Sequence, residues 1–184
     1  MKIKFSGFAL GLALTSVATP ALAQTPPPPP PPEAKTSAAA YVMAAGASDQ
    51  FEIQSSQIAL QKSPHASTRR FAQTLIADHQ KTTAATIKAA KKAGMNPPPP
   101  MLDPGAQPSI AELQNASAGD FDRLYFGQQG PAHQAALDLH QSYAASGDQA
   151  PLRMSAKAAV PIVQKHLTNA NKMMNMPAGK MSGM

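Results

Sequence analysis

The chain contains no cysteine. This absence excludes disulfides, thiolate metal sites and cysteine nucleophiles, and we expect no lipoprotein because no cysteine could carry the lipid. Tryptophan is also absent, and aromatic residues make up only 5% of the chain. Without a basic and aromatic stacking motif, the sequence gives no indication of nucleic-acid binding.

Long apolar runs are scarce and confined to the start of the chain. Lys2 and Lys4 precede an apolar stretch at 8–17, and Ala21 and Ala23 provide small residues for cleavage. This order predicts a signal peptide over residues 1–23. No later run reaches the roughly 18 apolar residues of a membrane helix, so we expect no transmembrane span in the mature chain. We therefore expect an exported protein of the periplasm or outer cell envelope.

Proline divides the remaining chain. Seven consecutive prolines at 26–32 predict a linker over residues 24–36, either a polyproline II spacer or a disordered leader. A second proline-rich stretch at 96–109 predicts a long surface connection. Between and beyond these segments we expect one domain over 37–173, followed by a flexible, methionine-rich tail over 174–184.

Four long segments have the apolar spacing of helices, and none has the alternation of a strand. Their predicted bounds are 37–62, 67–93, 120–145 and 151–173, with a short helical turn at 110–115. This pattern predicts an all-α, up-and-down four-helix bundle. Gly127, Gly130 and Pro131 predict a kink or break just before His133, and Pro161 predicts a second kink.

Each long helix places one acidic or imidazole side chain on its inward face. An unpaired charge or imidazole in an aliphatic core costs several kcal/mol unless it is hydrogen-bonded or metal-bound. Three histidines and a carboxylate suit one borderline ion, Zn(II), Cu(II) or Ni(II), with Asp78 or Asp122 hydrogen-bonded to a ligand. The alternative is a metal-free hydrogen-bond network that fixes helix register. The candidate ligands are Glu52, His79, His133 and His166.

A di-iron centre is not expected. Such a site needs several glutamates, two of them in Glu-x-x-His pairs. The chain has only Glu33, Glu52 and Glu112, and none has a histidine three residues later.

Two further histidines and a methionine cluster are weaker candidates. His65 lies in a predicted turn, where a solvated imidazole is ordinary, and His140 fits a packing role or an extension of the site. Clustered thioethers favour Cu(I), although the first two methionines could simply complete the apolar face of the last helix. The cluster comprises Met173, Met174, Met176, Met181 and Met184.

The order of several motifs resembles a known family. These motifs are Tyr41-Val42 followed by Glu52, Phe71-Ala72 followed by Asp78-His79, Phe121 to Tyr125 followed by His133, and Pro161 followed by His166-Leu167. Together they resemble the bacterial exported family called domain of unknown function 4142, sometimes labelled an outer membrane protein. The resemblance implies a ferritin-like bundle of the periplasm or cell envelope with no assigned activity. Its motif positions here are Glu52, Asp78, His79, Asp122, Tyr125, His133 and His166.

Catalytic signatures are absent from the sequence. There is no nucleophile elbow, phosphate-binding glycine loop or Ser/His/Asp pattern. We therefore predict a non-enzymatic binding or envelope-associated module, with a cell-envelope component as the expected partner and the oligomeric state left open. The alternative is a periplasmic metalloprotein that buffers Zn or Cu, or performs redox chemistry, through Glu52, His79, His133 and His166.

Overall fold

A computed structural model describes residues 25–176 of the 184-residue chain. The predicted signal peptide and the two methionines Met181 and Met184 lie outside the described residues. Within the described range the chain is helical, with no β-strand. The five α-helices are α1 (Ala38–Lys62), α2 (Ala66–Lys92), α3 (Gln107–Asn115), α4 (Phe121–Ser146) and α5 (Ala150–Met174).

The ends of the helices follow local signals in the sequence. Ser37 precedes α1 in an extended conformation, as expected of an N-cap position. Gly94 follows α2 with φ of 79°, a left-handed conformation that glycine adopts without steric cost. The amide of Met95 then donates to the carbonyl of Ala90 at 3.0 Å, which closes a Schellman motif. The four long helices therefore match the predicted segments to within one residue at each end.

The prolines inside α4 and α5 do not break these helices. We predicted a kink or a break before His133, and the break is wrong, because α4 runs continuously through Pro131. Proline removes one amide donor, but α4 packs along both α1 and α5, and tertiary packing supplies most helix stability in proteins. Gly130 assists this packing, since a Cβ atom there would lie 3.3 Å from Asn171 Oδ1 on α5.

The long helices pack as neighbours around a common interior. Helix α1 contacts α2 and α4, while α5 contacts α2 and α4, and α3 lies against α1 and α4. One apolar cluster, around Leu75 and Phe126, fills one end of this interior, and another, around Tyr41 and Leu152, fills the other. Across residues 25–176 no helix combines the length and apolarity needed to cross a bilayer.

The proline-rich segment lies on the helices instead of projecting away from them. Residues 25–31 have no regular structure, and Pro32–Lys35 forms a 3-10 turn. The prolines share a groove with Phe51 of α1 and Ala132 of α4. The amide of Thr25 also donates to the Glu112 carboxylate on α3 at 3.1 Å. In the structure this segment is therefore a strap across the domain.

Candidate metal centre

Three buried imidazoles meet midway between the two apolar clusters. His79 comes from α2, His133 from α4 and His166 from α5, and each residue is at most 1% exposed. Each offers one ring nitrogen, and the three nitrogens lie within 4.8 Å of one another. The helix geometry explains this meeting, because each histidine sits on the same face as an apolar residue of the core, such as Leu75 one turn before His79.

His79 is held by a carboxylate of α1. Its Nδ1 donates to Asp49 Oδ1 at 2.7 Å. The other oxygen of Asp49 accepts from the hydroxyls of Thr82 at 3.0 Å and Thr83 at 2.7 Å. Because the carboxylate can only accept, the proton of His79 is assigned to Nδ1. In the neutral ring Nε2 therefore carries the lone pair, and it has no hydrogen-bond partner.

His133 and His166 are anchored in the same manner. His133 Nδ1 donates to the Gln129 carbonyl of its own helix at 2.9 Å, and His133 Nε2 has no partner. His166 Nε2 donates to Asp78 Oδ2 at 3.2 Å, and His166 Nδ1 has no partner. Every imidazole of the group thus has one nitrogen fixed by an oxygen acceptor and one left unpartnered in the interior.

This arrangement is the one that metal-ligating histidines adopt. A ligand imidazole normally donates its second N–H to a carboxylate or backbone carbonyl, which fixes its tautomer and orientation. A metal-free network would instead pair the inner nitrogens with each other or with nearby groups. Buried polar atoms without partners are costly and uncommon, so three of them, one on each of three rings whose centroids lie 5.2 to 5.5 Å apart, require an explanation.

Glu52 of α1 lies beside the imidazoles. Its Oε1 is 3.5 Å from His133 Nδ1, and neither carboxylate oxygen has a hydrogen-bond partner. Burial raises the pKa of Glu52 to about 8, although the charge of nearby His79 acts in the opposite direction. Among the described residues, the mutually close group of ligand atoms comprises the three histidines and does not include Glu52.

The environments of the imidazoles differ in their electrostatics. Burial and the neighbouring His79 hold the pKa of His133 well below its usual value and lower that of His166 to about 4. Burial also opposes protonation of His79, but the hydrogen bond and charge of Asp49 outweigh it and raise the pKa of His79. His133 and His166 therefore keep a lone pair at neutral pH, while Asp49 favours positive charge at His79.

The remaining predicted residues lie in different surroundings. Asp122 was expected beside a ligand, but its Oδ2 accepts from His65 Nδ1 at 2.7 Å and from Thr68 at 2.7 Å. Tyr125 is buried and hydrogen-bonded to Ser56 at 2.8 Å. His140 is buried outside the histidine group, where its Nδ1 and the Tyr41 hydroxyl are hydrogen-bonded at 3.0 Å.

Sequence reasoning missed Asp49, the carboxylate that holds His79. A signal for it exists, because Asp49 precedes Glu52 by three residues and therefore shares its face of α1. The choice between the two carboxylates depends on how α1 and α2 are rotated against each other. Periodicity along one helix does not contain that information.

These features define an all-α protein with a buried three-histidine group as its candidate metal centre. The chain belongs to the family described as Domain of unknown function (DUF4142), whose model matches residues 23–173. This match confirms the family resemblance drawn from the motifs. No curated protein matches the sequence.

Solved structures of CopM share the fold. CopM in the Cu(II)-bound form aligns with a TM-score of 0.63 at 17% identity, over 75% of this chain and 95% of that one. CopM in the Cu(I)-bound form aligns with a TM-score of 0.62 at 16% identity, over 74% and 94% respectively. A third structure, CopM in the Ag-bound form, has a TM-score of 0.60 at 18% identity, over 74% and 93%. At these identities the likeness is one of fold.

Proposed function

We propose that this protein binds one Cu(II) ion through His79, His133 and His166. The observation that carries the proposal is the pairing of one anchored and one unpartnered nitrogen in each of the three buried rings. A cation bound at the unpartnered nitrogens would satisfy all three atoms at once. It would also supply the positive charge that Asp49 and Glu52 favour at this point of the core.

Copper is the metal that the donor set favours. Imidazole nitrogen suits both Cu and Zn, but the affinity of nitrogen sites for divalent ions of this series peaks at Cu(II). The fold likeness to a protein solved in Cu(II)-bound form agrees with this choice. Glu52 would stand beside the ion as a counter-charge, since a nearby cation stabilises the carboxylate form of the side chain.

The proposed setting is an exported ferritin-like, up-and-down four-helix bundle over 37–173. The packing of the four long helices as neighbours supports the bundle, and the basic, apolar and small-residue order at 1–23 supports export. Linker 24–36 and tail 174–184 complete this organisation. We assign the protein to metal binding or buffering in the cell envelope.

The test is metal content and calorimetry on the purified chain with Cu(II) and Zn(II). We expect one Cu(II) per chain, and nitrogen hyperfine structure in its electron paramagnetic resonance spectrum. Replacing any one of His79, His133 or His166 by Gln should lower the affinity by at least about 100-fold, because each change removes a direct ligand.

His140→Gln is the matched control. His140 is also a buried histidine, seven residues from His133 on α4, but it lies outside the group. This variant should bind Cu(II) like the parent. Absence of stoichiometric binding, tighter binding of Zn(II), or an equal loss in His140→Gln would overturn the assignment.

A further inference from the structure

A second cluster of metal-binding side chains lies at one end of the helices, where α2 begins and α5 ends. The residues lining an open cleft there include His65, Met173, Met174 and Met176. We call these four residues the thioether cleft. Met173 is seven residues beyond His166, or about 10 Å along α5, so the cleft and the three-histidine group share no residue.

The orientation of His65 is fixed by a carboxylate of α4. Its Nδ1 donates to Asp122 Oδ2 at 2.7 Å, and the same oxygen accepts from Thr68 at 2.7 Å. This bond assigns the proton to Nδ1 and the lone pair to Nε2. The His65 side chain is 21% exposed, so a solute can reach it. The carboxylate–imidazole pair seen in the interior at Asp49 and His79 thus recurs at an accessible position.

The methionines provide donors of a different kind. In a chain without cysteine, the thioether is the only soft ligand available. Met173 and Met176 pack against the apolar cluster that includes Phe126, while Met174 is 40% exposed. Packing orders these two side chains before a ligand arrives, which reduces the entropy cost of binding. Arg123 also lines the cleft, but its guanidinium is paired with Asp120 at 3.1 Å.

From these observations we infer that the thioether cleft binds one soft monovalent cation, Cu(I) or Ag(I). Thioether ligands select such ions over hard or borderline ones, and imidazole also binds copper. The inference stands on residues other than those of the proposed Cu(II) site and does not depend on it. The protein would then bind the two oxidation states of copper at separate positions, Cu(II) at the three histidines and Cu(I) at the softer thioether ligands.

The experiment titrates the full chain with Ag(I) and follows the methionine methyl resonances by NMR. One equivalent should shift the methyl signals of Met173, Met174 and Met176 together with the ring signals of His65. In a chelator competition, Met174→Leu/Met176→Leu should lose at least about tenfold in Ag(I) affinity, because leucine keeps the volume but removes two donors. Circular dichroism would establish that this variant retains its helices.

Met101→Leu/Met154→Leu is the matched control, since both side chains are exposed thioethers outside the cleft, at 71% and 61%. It should bind Ag(I) like the parent. The inference would be overturned if this control lost as much affinity as the cleft variant. A loss confined to Met181→Leu/Met184→Leu would equally overturn it, as would first-equivalent shifts at His133 and His166 instead of the cleft.

Discussion

Asp49 Oδ1 accepts a hydrogen bond from His79 Nδ1 at 2.7 Å, and both side chains are almost fully buried. The pair joins α1 to α2 in the middle of the domain. It also aims the unpartnered Nε2 of His79 into the interior. The Asp49 carboxylate therefore orients one of the three imidazoles of the candidate centre and is not hydrogen-bonded to the other two.

Replacing Asp49 by Asn should weaken Cu(II) binding by about 10- to 100-fold, because the amide no longer fixes the tautomer or balances the charge of His79. Calorimetry would measure the change. Asp78→Asn is the matched comparison, since Asp78 holds His166 by a longer bond, at 3.2 Å, and its side chain is 29% exposed. We expect Asp78→Asn to lose less Cu(II) affinity than Asp49→Asn. Equal affinities for the parent and Asp49→Asn would remove the carboxylate from the site.

Replacing Glu52 by Gln should stabilise the metal-free protein at alkaline pH. The pKa of Glu52 is raised by burial from 4.5 to about 8, so the folded state holds a proton that the unfolded state has released. Stability is therefore lost as pH rises from 4.5 to 8, and a neutral glutamine avoids this loss. We expect the variant to gain about 2 to 4 kcal/mol over the parent between pH 5 and pH 8. Urea unfolding with a chelator present would test this, and parallel pH profiles would contradict it.

The loss of folding stability at acidic pH should depend on His166 and His140. Burial is the first cause that lowers the pKa of each from 6.5 to about 4. The unfolded state therefore binds protons that the folded state does not, and metal-free stability falls as pH drops from 6.5 to 4. In His166→Gln or His140→Gln this fall should be smaller by on the order of 2 kcal/mol. Asp78 does not explain the same window, because its pKa is lowered from 3.8 and its contribution is lost only below that value.

Gly147→Ala should be severely destabilising, by about 2 to 4 kcal/mol. An added Cβ would lie 2.4 Å from the ring of Tyr143, and this ring is buried and stacked on Tyr41 with centroids 3.9 Å apart. The ring therefore has no room to yield. Gly119→Ala is the control, because its nearest contact would be Ser117 Oγ at 4.0 Å. Thermal unfolding would compare the two, and similar melting temperatures would refute the packing argument.

The sequence predicted the helices well because their signals are local. Apolar spacing, Ser37 and Gly94 mark the ends of α1 and α2 from within a few residues. The predicted break at Pro131 failed because the competing effect, the packing of α4 between α1 and α5, involves distant parts of the chain.

The candidate site could be predicted from the sequence only in part, for the same reason. The inward faces of the helices predicted that His79, His133 and His166 point towards a common interior. The partner of each ring was harder to foresee, because Asp122 and Asp49 are both acidic residues at inward positions. Only the rotation and axial offset of neighbouring helices places Asp49 at His79 and Asp122 at His65.

The three imidazoles are also far apart along the chain, at positions 79, 133 and 166, on three different helices. No stretch of the unfolded polypeptide brings them together, and the last of them belongs to α5, the final helix among residues 25–176. This spacing determines the order of folding and metal binding. The chain must fold through α5 before the three imidazoles meet, so the proposed Cu(II) site would exist only in the folded protein and would be lost if α5 detached.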